Sequence, residues 1–572
     1  MNHLCTNVHS NYTDNRLNSH SSLPKYVPVL ITDDLFTMKE NDILRIDPKD
    51  NVLVALKELT AGTVVDMGLS IEVKETIPQK HKMLLEDLVK GQQVIMYGVP
   101  VGVVQKDLPA GSLLTIENTK HFAEPLSLEN RKKYTWQTPD VSKWAGRTFS
   151  GYHRSSGKVG TANYWLFIPL VFCENRNLKV IEEALIKQLG YYKPNKYESL
   201  VSKHLSGQVT QTTYATEQVF KHIDGIRFLY HHGGCGGTRQ DAETLLRLLA
   251  GYVHHPNVAG ATVLSLGCQH AQADWFRSLQ KELYPDSEKT VLYFEQQQMA
   301  SEEELISLAI SETLEALKQA NETERKPATL DKLVLGLECG GSDGFSGISA
   351  NPVLGRVSDL LAVLKASTIL SEFPELNGVE QNIIDRCESQ ELAEKFVRIQ
   401  RAYESHAQAV GSGFDMNPSP GNIRDGLITD AIKSAGAAKK GGSAPVADIL
   451  DYTEPVTRPG LNLLCTPGND VESTTGLAGS GANIILFTTG LGTPTGNPIT
   501  PVIKVSSNST LAARMNDIID VNTGGVIEGT KTIEQAGDEL LEKIIAVASG
   551  EQTKAMKLEQ NDFIPWKRGV SL

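Results

Sequence analysis

Cysteine is sparse in this sequence, and the patterns that usually organise it are missing. The chain of 572 residues has seven cysteines, an odd number, and no two of them stand in CxxC spacing. These features argue against a disulfide framework and against a structural zinc site. The first residues are polar and show no apolar core of a signal peptide. We therefore expect a protein of the reducing cytoplasm.

Long apolar runs, basic blocks and nucleotide-binding loops are missing as well. The longest apolar run, Tyr164–Phe172, is too short to span a bilayer and contains Pro169. The net charge of −13 is spread along the chain without a basic block, which argues against a nucleic-acid or membrane partner. No GxGxxG motif follows a first strand and there is no Walker loop, so a nucleotide-dependent oxidoreductase is not expected. An enzyme acting on a small molecule is the default.

The pattern of β-prone and helix-prone runs predicts an α/β protein with a small β-rich module in front. At this length we expect several domains. Residues 1–40 are rich in Asn, Ser, His and Thr and predict a flexible tail, and residues 41–122 carry short β-prone runs between turns. After a linker at 123–149, residues 150–330 alternate strands and helices, and residues 331–572 continue as a second α/β domain. Such alternation predicts mostly parallel sheets.

Cysteine recurs just past the ends of predicted strands. Four predicted strands, at 165–172, 226–230, 261–266 and 333–337, lead into turns that contain Cys173, Cys235, Cys268 and Cys339. Because an open α/β sheet binds ligands outside the carboxyl ends of its strands, we expect the sheet to bring these thiols onto one edge. Thiolates bind iron and zinc, so the four cysteines are candidate metal ligands. For each thiol taken alone, the alternative is a small buried hydrophobic side chain.

The turn Glu338–Gly344 concentrates reactive side chains. It follows the apolar run Leu333–Leu337 and holds two carboxylates, a thiol and a hydroxyl. Its glycines permit positive φ and close approach of the backbone. The candidate catalytic residues are Glu338 and Asp343 in this turn, His232 in the turn that contains Cys235, and Glu372 just past the predicted strand 368–370. The alternative is a tight strand-to-helix turn around a buried cysteine.

Polar side chains on other loops are candidates for binding the substrate. The loop Asn417–Asn422 contains two prolines, which disfavour a helix and favour a rigid loop. Lys433 lies on a predicted helix, where it either offers a cation to a carboxylate or belongs to a solvated face. For His81 and Lys82 in the β-rich module, the options are an anion site or solvated surface. The predicted substrate-binding residues are Arg154, Asn163, Ser342, Asn417, Ser419, Asn422 and Lys433.

Six motifs that follow one another along the chain resemble the altronate/galactarate dehydratase family. They are Gly151–Asn163, Gly234-Cys235, Leu266–Cys268, Glu338–Gly347, Asn417–Asn422 and Phe487–Pro494. The resemblance extends from about residue 43 to the C-terminus. Three further segments are closer to the altronate branch of the family, namely Pro459–Leu464, Pro467–Asp470 and the ending Asn561–Leu572.

The resemblance implies a SAF-type (β-clip) N-terminal module followed by a dehydratase body. It implies a cytoplasmic hydro-lyase of hexuronate catabolism that converts D-altronate to 2-dehydro-3-deoxy-D-gluconate and water. It also implies a divalent metal, Fe(2+) or Mn(2+), and a homo-oligomer, expected to be a dimer. In the altronate branch the module closes on a His-x-His-Asn segment, whereas Thr115–Asn118 keeps only the asparagine.

Two questions stay open at the level of sequence. A single Fe(II) or Mn(II) ion would prefer histidine and carboxylate ligands, whereas three thiols at neighbouring strand ends suit an iron–sulfur cluster with one open iron. The substrate is D-altronate, galactarate or another onic acid, and the turn His231–Cys235, which departs from the family, bears on this choice. A non-catalytic sugar-acid sensor is the alternative from another functional class.

Overall fold

The computed structural model describes residues 37–38, 42–66, 70–206, 217–569 and 571. The predicted flexible tail, residues 1–40, lies outside this set apart from residues 37–38, which form a short strand. None of the helices in the described part of the chain is both long and apolar enough to cross a membrane. The predicted α/β class with a β-rich module in front is confirmed.

The N-terminal module consists of short strands in three small sheets. The strands are β1 (Thr37–Met38), β2 (Ile43–Leu44), β3 (Val52–Ala55), β4 (Val64–Asp66), β5 (Ser70–Glu72), β6 (Lys82–Leu84), β7 (Gln93–Met96), β8 (Val99–Val104) and β9 (Thr119–Lys120). The sheet orders are β1-β4-β5, β2-β3-β6 and β7-β8-β9. Leu53, Val65, Ile71 and Met83 are buried together, because alternate side chains of these strands point to the same side.

The second domain holds a four-stranded parallel sheet with helices in its connections. Its elements are β10 (Thr148–His153), β11 (Val159–Gly160), β12 (Tyr164–Pro169), α1 (Asn175–Gln188), α2 (Lys196–Ser206), β13 (Gly225–Phe228), α3 (Arg239–Val253), β14 (Val258–Ser265), α4 (Ala273–Leu283), β15 (Thr290–Glu295), α5 (Glu302–Ala320) and β16 (Lys326–Thr329). The order β13-β12-β14-β15 is parallel throughout, and β11-β10-β16 forms a separate antiparallel sheet. All residues of β12 are buried, as expected for a strand covered on both faces.

The third domain is built on a seven-stranded parallel sheet with the order β19-β20-β18-β17-β21-β22-β23. Its strands are β17 (Val334–Cys339), β18 (Ser367–Leu370), β19 (Val446–Leu450), β20 (Gly460–Leu464), β21 (Ile484–Thr489), β22 (Val502–Ser506) and β23 (Val521–Asn522). Its helices are α6 (Ala350–Val363), α7 (Glu380–Arg386), α8 (Gln390–Ala409), α9 (Pro420–Arg424), α10 (Asp430–Ala437), α11 (Asp470–Gly479), α12 (Ser509–Arg514), α13 (Gly524–Ile527), α14 (Ile533–Ala548) and α15 (Lys554–Lys557).

The strand order of the third domain creates a place for a ligand. The chain lays β18, β19 and β20 on one side of β17 and then places β21, β22 and β23 on the other side. A reversal of this kind opens a crevice at the carboxyl ends of the strands, where open α/β sheets bind their ligands. Cys339 is the last residue of β17 and therefore lies at this crevice.

The prediction that the four cysteines share one sheet edge was wrong. Cys173, Cys235 and Cys268 follow strands of the four-stranded sheet, whereas Cys339 ends a strand of the seven-stranded sheet. Both domains alternate strands and helices in the same way, so the sequence pattern does not show where one parallel sheet stops and the next begins.

The prediction of a rigid loop at Asn417–Asn422 holds only for its first half. Pro420 is the first residue of α9, and Ser419 caps this helix with a hydroxyl that accepts from the Asn422 N–H. Proline is tolerated at the first helical position because the N–H that it lacks would have no partner inside the helix.

The β-rich module is anchored to the third domain by the turn that leads into β6. Lys80 Nζ lies 3.1 Å from an Asp343 oxygen and 2.9 Å from an Asp425 oxygen. Lys82 is 1% exposed, and its Nζ donates to the Gly426 carbonyl at 2.6 Å. Solvated surface is therefore the wrong interpretation for Lys82, since its side chain is buried between the module and the third domain.

Candidate active site

Five side chains form a buried ionic cluster at the carboxyl end of β17: Cys339, Glu372, Glu375, Lys433 and Lys440. Lys440 Nζ lies 2.8 Å from Cys339 Sγ and 2.9 Å from Glu372 Oε2. Cys339 Sγ lies 3.0 Å from Glu375 Oε2, and Lys433 Nζ lies 2.5 Å from Glu375 Oε1. Both glutamates, the thiol and Lys440 are buried, so these charges interact largely without screening by water.

The turn after β18 brings both glutamates to Cys339. Glu372 has a φ of 67°, in the left-handed region, and its N–H donates to Thr466 Oγ1 at 2.8 Å. A short 3₁₀ turn with Pro374 near its start follows, and there the Glu375 N–H donates to the Glu372 carbonyl at 2.8 Å. A residue other than glycine in this region costs roughly 1–3 kcal/mol, and such strain is typical of functional sites.

The two lysines enter the cluster from α10 and from the turn that follows it. Lys433 Nζ donates to Asn417 Oδ1 at 2.7 Å, and Asn417 Nδ2 donates to Glu375 Oε1 at 3.3 Å. Asn417 and Lys433 are partly exposed, whereas Lys440 is buried. These two predicted substrate-binding residues therefore lie on the solvent side of the buried ionic cluster.

Burial and the neighbouring charges set the pKa values within the cluster. Burial favours a higher pKa for Glu375, but Lys433 and Lys440 outweigh it and lower that pKa to about 2. Burial raises the pKa of the Cys339 thiol well above its ordinary value, and the two glutamates add to the rise. Burial and the charge of Glu375 also raise the pKa of Glu372. Without a further cation, Cys339 is thus a neutral thiol.

Glu338 lies next to the cluster with its carboxyl group fully buried. Its Oε2 accepts hydrogen bonds from Ser371 at 2.7 Å and from Ser473 at 2.5 Å. Its Oε1 has no hydrogen-bond partner among the described residues. Burial and the charge of Glu372 raise the pKa of Glu338 well above its ordinary value. The raised pKa favours the protonated form of this predicted catalytic residue.

Asp470, the first residue of α11, approaches the same place from the end of β20. A Cβ atom at Gly340 would lie 2.0 Å from Asp470 Oδ2, so only glycine after Cys339 leaves room for this carboxylate. Burial, followed by the charges of Glu372 and Glu375, raises the pKa of Asp470 to about 7. Asp470 can therefore take up and release a proton near neutral pH.

Three members of the cluster fit a divalent metal ion. One ligand atom each from Cys339, Glu372 and Glu375 lies within 4.8 Å of the other two. A thiolate with two carboxylates is a mixed donor set that Fe(II) and Mn(II) accept. Lys440 already gives a positive charge to two of these three groups, so a metal ion would compete with its ammonium group.

Asp343 and the residues around it belong to a neighbouring polar network that holds the turn after β17. Asp343 Oδ1 accepts from Ser346 at 2.9 Å and from Ser507 at 2.8 Å, while its Oδ2 pairs with Lys80 of the β-rich module. Asn422 Nδ2 donates to the Ser342 carbonyl at 2.7 Å, and Ser419 and Asn422 form the capping box of α9. In this structure, these four predicted site residues position the turn.

Arg154 and Asn163 lie at the amino end of the second-domain sheet. The prediction that they bind the substrate requires the opposite, carboxyl edge. Arg154 Nη2 donates to Asn163 Oδ1 at 2.8 Å, and Arg154 Nε donates to the Pro256 carbonyl at 2.8 Å. Asn163 directly precedes β12. His232 is at the other edge of that sheet, where it lines a cavity of about 310 Å³ together with Cys235 and His270.

The predicted site list missed three residues that the structure brings together: Glu375, Lys440 and Asp470. Glu375 is three residues after Glu372, and the proline between them gives the short turn that the pair needs. Asp470 closes the segment Pro467–Asp470, which resembles the altronate branch, but nothing in the sequence links Asp470 or Lys440 to Cys339 across more than a hundred residues.

Comparison with known proteins covers all three parts of the chain. Residues 41–121 match the altronate/galactarate dehydratase SAF domain, residues 151–321 the second domain of D-galactarate dehydratase/altronate hydrolase, and residues 330–571 the C-terminal domain of D-galactarate/altronate dehydratase. Altronate dehydratase of Escherichia coli (strain K12) is 33% identical over 534 residues, which are 92% of this chain and 99% of that protein.

Two further relatives are similar over most of the chain. Altronate dehydratase of Bacillus subtilis (strain 168) is 32% identical over 92% of this chain and 99% of its own length. Galactarate dehydratase (L-threo-forming) of Escherichia coli (strain K12) is 28% identical over 89% of this chain and 93% of its own length. With the three domain matches in the order of the chain, the protein belongs to the D-galactarate/altronate dehydratase family.

Proposed function

We propose that this protein is a metal-dependent dehydratase of sugar acids and that D-altronate is its substrate, with 2-dehydro-3-deoxy-D-gluconate and water as products. The observation that carries the proposal is the buried ionic cluster at the carboxyl end of β17, in a chain that aligns with altronate dehydratases over nearly their whole length. The cluster supplies ammonium groups for the developing negative charge, and Asp470 beside it can take the C2 proton and return it to the C3 hydroxyl, which leaves as water.

The reaction removes the C2 proton and the C3 hydroxyl of a 2,3-dihydroxy acid. The C2 proton is only weakly acidic, because the adjacent group is a carboxylate, so negative charge has to be stabilised as the proton leaves. Lys433 and Lys440 hold two ammonium groups at the crevice, and burial of Lys440 makes its interaction with a developing charge stronger than in water. Asn417, beside Lys433, is positioned to bind a hydroxyl or carboxylate oxygen of the substrate.

Asp470 is the proposed general base for the C2 proton. A base works best when its pKa is close to the operating pH, and the pKa of Asp470 is about 7. Glu375 is unsuited to this role, because a pKa of about 2 makes it a weak base. Burial and the charge of Glu372 raise the pKa of Glu338, which favours its neutral form beside Glu372.

A divalent metal ion, Fe(II) or Mn(II), would be held by Cys339, Glu372 and Glu375. When bound, such an ion supplies Lewis-acid stabilisation of the substrate carboxylate and hydroxyl oxygens. Charge balance supports its presence, because the two lysines already neutralise the two glutamates, whereas the ionised base Asp470 and a substrate carboxylate add two further negative charges. A divalent cation would offset these two charges.

The test is an anaerobic assay of the whole chain with Fe(II) or Mn(II) and a thiol present. D-altronate, D-galactarate, D-gluconate and D-mannonate are offered separately, and formation of a 2-keto-3-deoxy acid is measured. We expect turnover of D-altronate in preference to the other three acids. Turnover of a different acid would overturn the substrate assignment. If every metal-loaded sample bound D-altronate without turning it over, the proposal that the protein is an enzyme would fail, and a sugar-acid sensor would be favoured.

A further inference from the structure

Three exposed thiols lie together at the carboxyl edge of the second-domain sheet. Cys173, Cys235 and Cys268 follow β12, β13 and β14, and these strands are adjacent in the order β13-β12-β14. They belong to a different sheet from Cys339, and the proposed dehydratase chemistry uses none of them. Free cysteines are usually buried, so three exposed thiols at one sheet edge need an explanation.

Backbone hydrogen bonds tie the three cysteine loops to one another. The Phe172 N–H, next to Cys173, donates to the Gly233 carbonyl at 3.1 Å. The Gly234 carbonyl, next to Cys235, accepts from the Ala271 N–H at 3.1 Å in the loop that contains Cys268. The loop of Cys235 is thus held between the other two.

Gly234 makes this close packing of the loops possible. Its φ is 96°, and a Cβ atom there would lie 2.1 Å from the Leu170 carbonyl oxygen. A side chain at this position would push the loop of Cys235 away from the loop of Cys173. The backbone is therefore arranged to keep the loops that carry the thiols in contact.

Polar groups around the thiols also suit a bound cofactor. Gln297 Nε2 donates to Cys268 Sγ at 3.3 Å, and hydrogen bonds to sulfur ligands are a known means of tuning iron–sulfur centres. Glu174, directly after Cys173, is fully buried, and its Oε1 has no hydrogen-bond partner within the described part of the chain. An unpaired buried carboxyl oxygen beside an exposed thiol indicates that a partner is missing from this edge.

We propose that Cys173, Cys235 and Cys268 bind an iron–sulfur cluster of the [4Fe–4S] type, with one iron left without a cysteine ligand. A single zinc ion holds thiolates at about 2.3 Å, which brings their sulfur atoms close together. In the described ranges, these three thiols do not form a group whose ligand atoms all lie within 4.8 Å of one another, so at least two of them are farther apart than a single ion requires. A cofactor with several irons can take thiolates that stand farther apart.

The test is anaerobic reconstitution of the full chain with Fe(II), sulfide and a thiol reductant, followed by removal of unbound iron. Acid-labile sulfide, iron content and visible absorbance are then measured for wild type and for Cys173→Ser, Cys235→Ser and Cys268→Ser. We expect labile sulfide and visible absorbance in the wild type and near-complete loss of both in each serine variant. Because the three thiols are exposed, the variants should keep the wild-type melting temperature, which is measured alongside.

Cys387→Ser and Cys339→Ser are the matched controls. Both thiols are buried in the third domain, and both variants should retain the full sulfide content. Absence of labile sulfide from the reconstituted wild type, binding of zinc without sulfide, or loss of the cluster from Cys339→Ser would each overturn the proposal. The readout does not depend on turnover of a sugar acid, so it stands or fails separately from the proposed dehydratase.

Discussion

Glu375 and Asp470 are carboxyl groups of the same buried site, and the charge of Glu375 acts on Asp470. Their pKa values nevertheless shift in opposite directions from the ordinary values of Glu and Asp. Lys433 and Lys440 outweigh the effect of burial on Glu375 and lower its pKa to about 2. For Asp470, burial together with the two glutamates outweighs the opposing charge of Lys433 and raises the pKa to about 7. Pairs of groups whose environments separate their pKa values are a sign of divided acid–base roles. Glu375 is suited to remain charged, and Asp470 is suited to exchange a proton.

Replacing Asp470 by asparagine tests this division at the residue scale. Asp470→Asn keeps the shape of the side chain but cannot accept a proton, so we expect kcat/KM to fall by roughly 10²–10⁴. In the wild type, kcat/KM should rise with pH as the base ionises and level off at or below about 7, because a metal ion on Glu372 and Glu375 would offset the two charges that help to raise the pKa of Asp470. The variant should lack this rise.

Asp538→Asn provides the control for this experiment, since Asp538 is a surface residue paired with Lys143. Initial rates are measured across pH for all three proteins, and Asp538→Asn should show the same dependence of kcat/KM on pH as the wild type. A rise of the same size in Asp470→Asn would assign the ionisation to another group.

Single residues were predictable where the sequence places them directly after a strand. Cys339 ends β17 and Glu372 lies just past the end of β18, and both could be identified as site residues from these positions alone. Asp343 occurs in the same turn but points into the network of Ser346, Ser507 and Lys80. Backbone angles and distant partners decide which of two polar residues in a turn faces the crevice. The spacing of residues in the sequence shows neither of them.

At the scale of elements, the turn into β6 links the β-rich module to the turn after β17. Lys80 pairs with Asp343, and Lys82 is buried against Gly426. Sequence patterns indicated the strands of this module, but the burial of a lysine at its edge depends on which domain covers it. The same limit applies to α9, where the capping side chain of Ser419 turns a proline-rich loop into a helix.

The buried ammonium group of Lys82 should make stability depend on pH. Burial lowers the pKa of Lys82 from its ordinary value of 10.5 to about 7, although Asp343 opposes the shift. Between these values the unfolded chain binds more protons than the folded chain, so the contribution of Lys82 to the free energy of unfolding increases with pH. Lys82→Met removes this contribution.

We therefore expect Lys82→Met to gain most in melting temperature, relative to wild type, below pH 7, and to lose that advantage as the pH approaches 10.5. Thermal unfolding of both proteins at several pH values measures the effect. Lys74→Met, at an exposed lysine that pairs with Glu72, is the control and should run parallel to wild type. A parallel curve for Lys82→Met would show that Lys82 is not buried in its charged form.

At the scale of the whole molecule, the class and order of the parts were predictable and their assembly was not. A β-rich module followed by α/β parts with parallel sheets follows from composition and alternation, and the structure confirms that class. The strands divide into a four-stranded and a seven-stranded sheet, and this division decides which cysteines lie at the same sheet edge. Pairing between strands that are far apart in the sequence determines the division. The result is two separate groups of reactive side chains where the sequence suggested one.

The most direct test of the central claim is the rate of D-altronate dehydration by the anaerobically prepared, Fe(II)-loaded chain and two cysteine variants. Cys339→Ser removes the thiol of the buried ionic cluster, and Cys387→Ser removes a thiol that is equally buried in the same domain. We expect Cys339→Ser to lose at least about 100-fold in rate, the scale of a lost charge-stabilising group, while Cys387→Ser keeps the wild-type rate. Equal rates for Cys339→Ser and wild type would contradict the assignment of the active site to the end of β17.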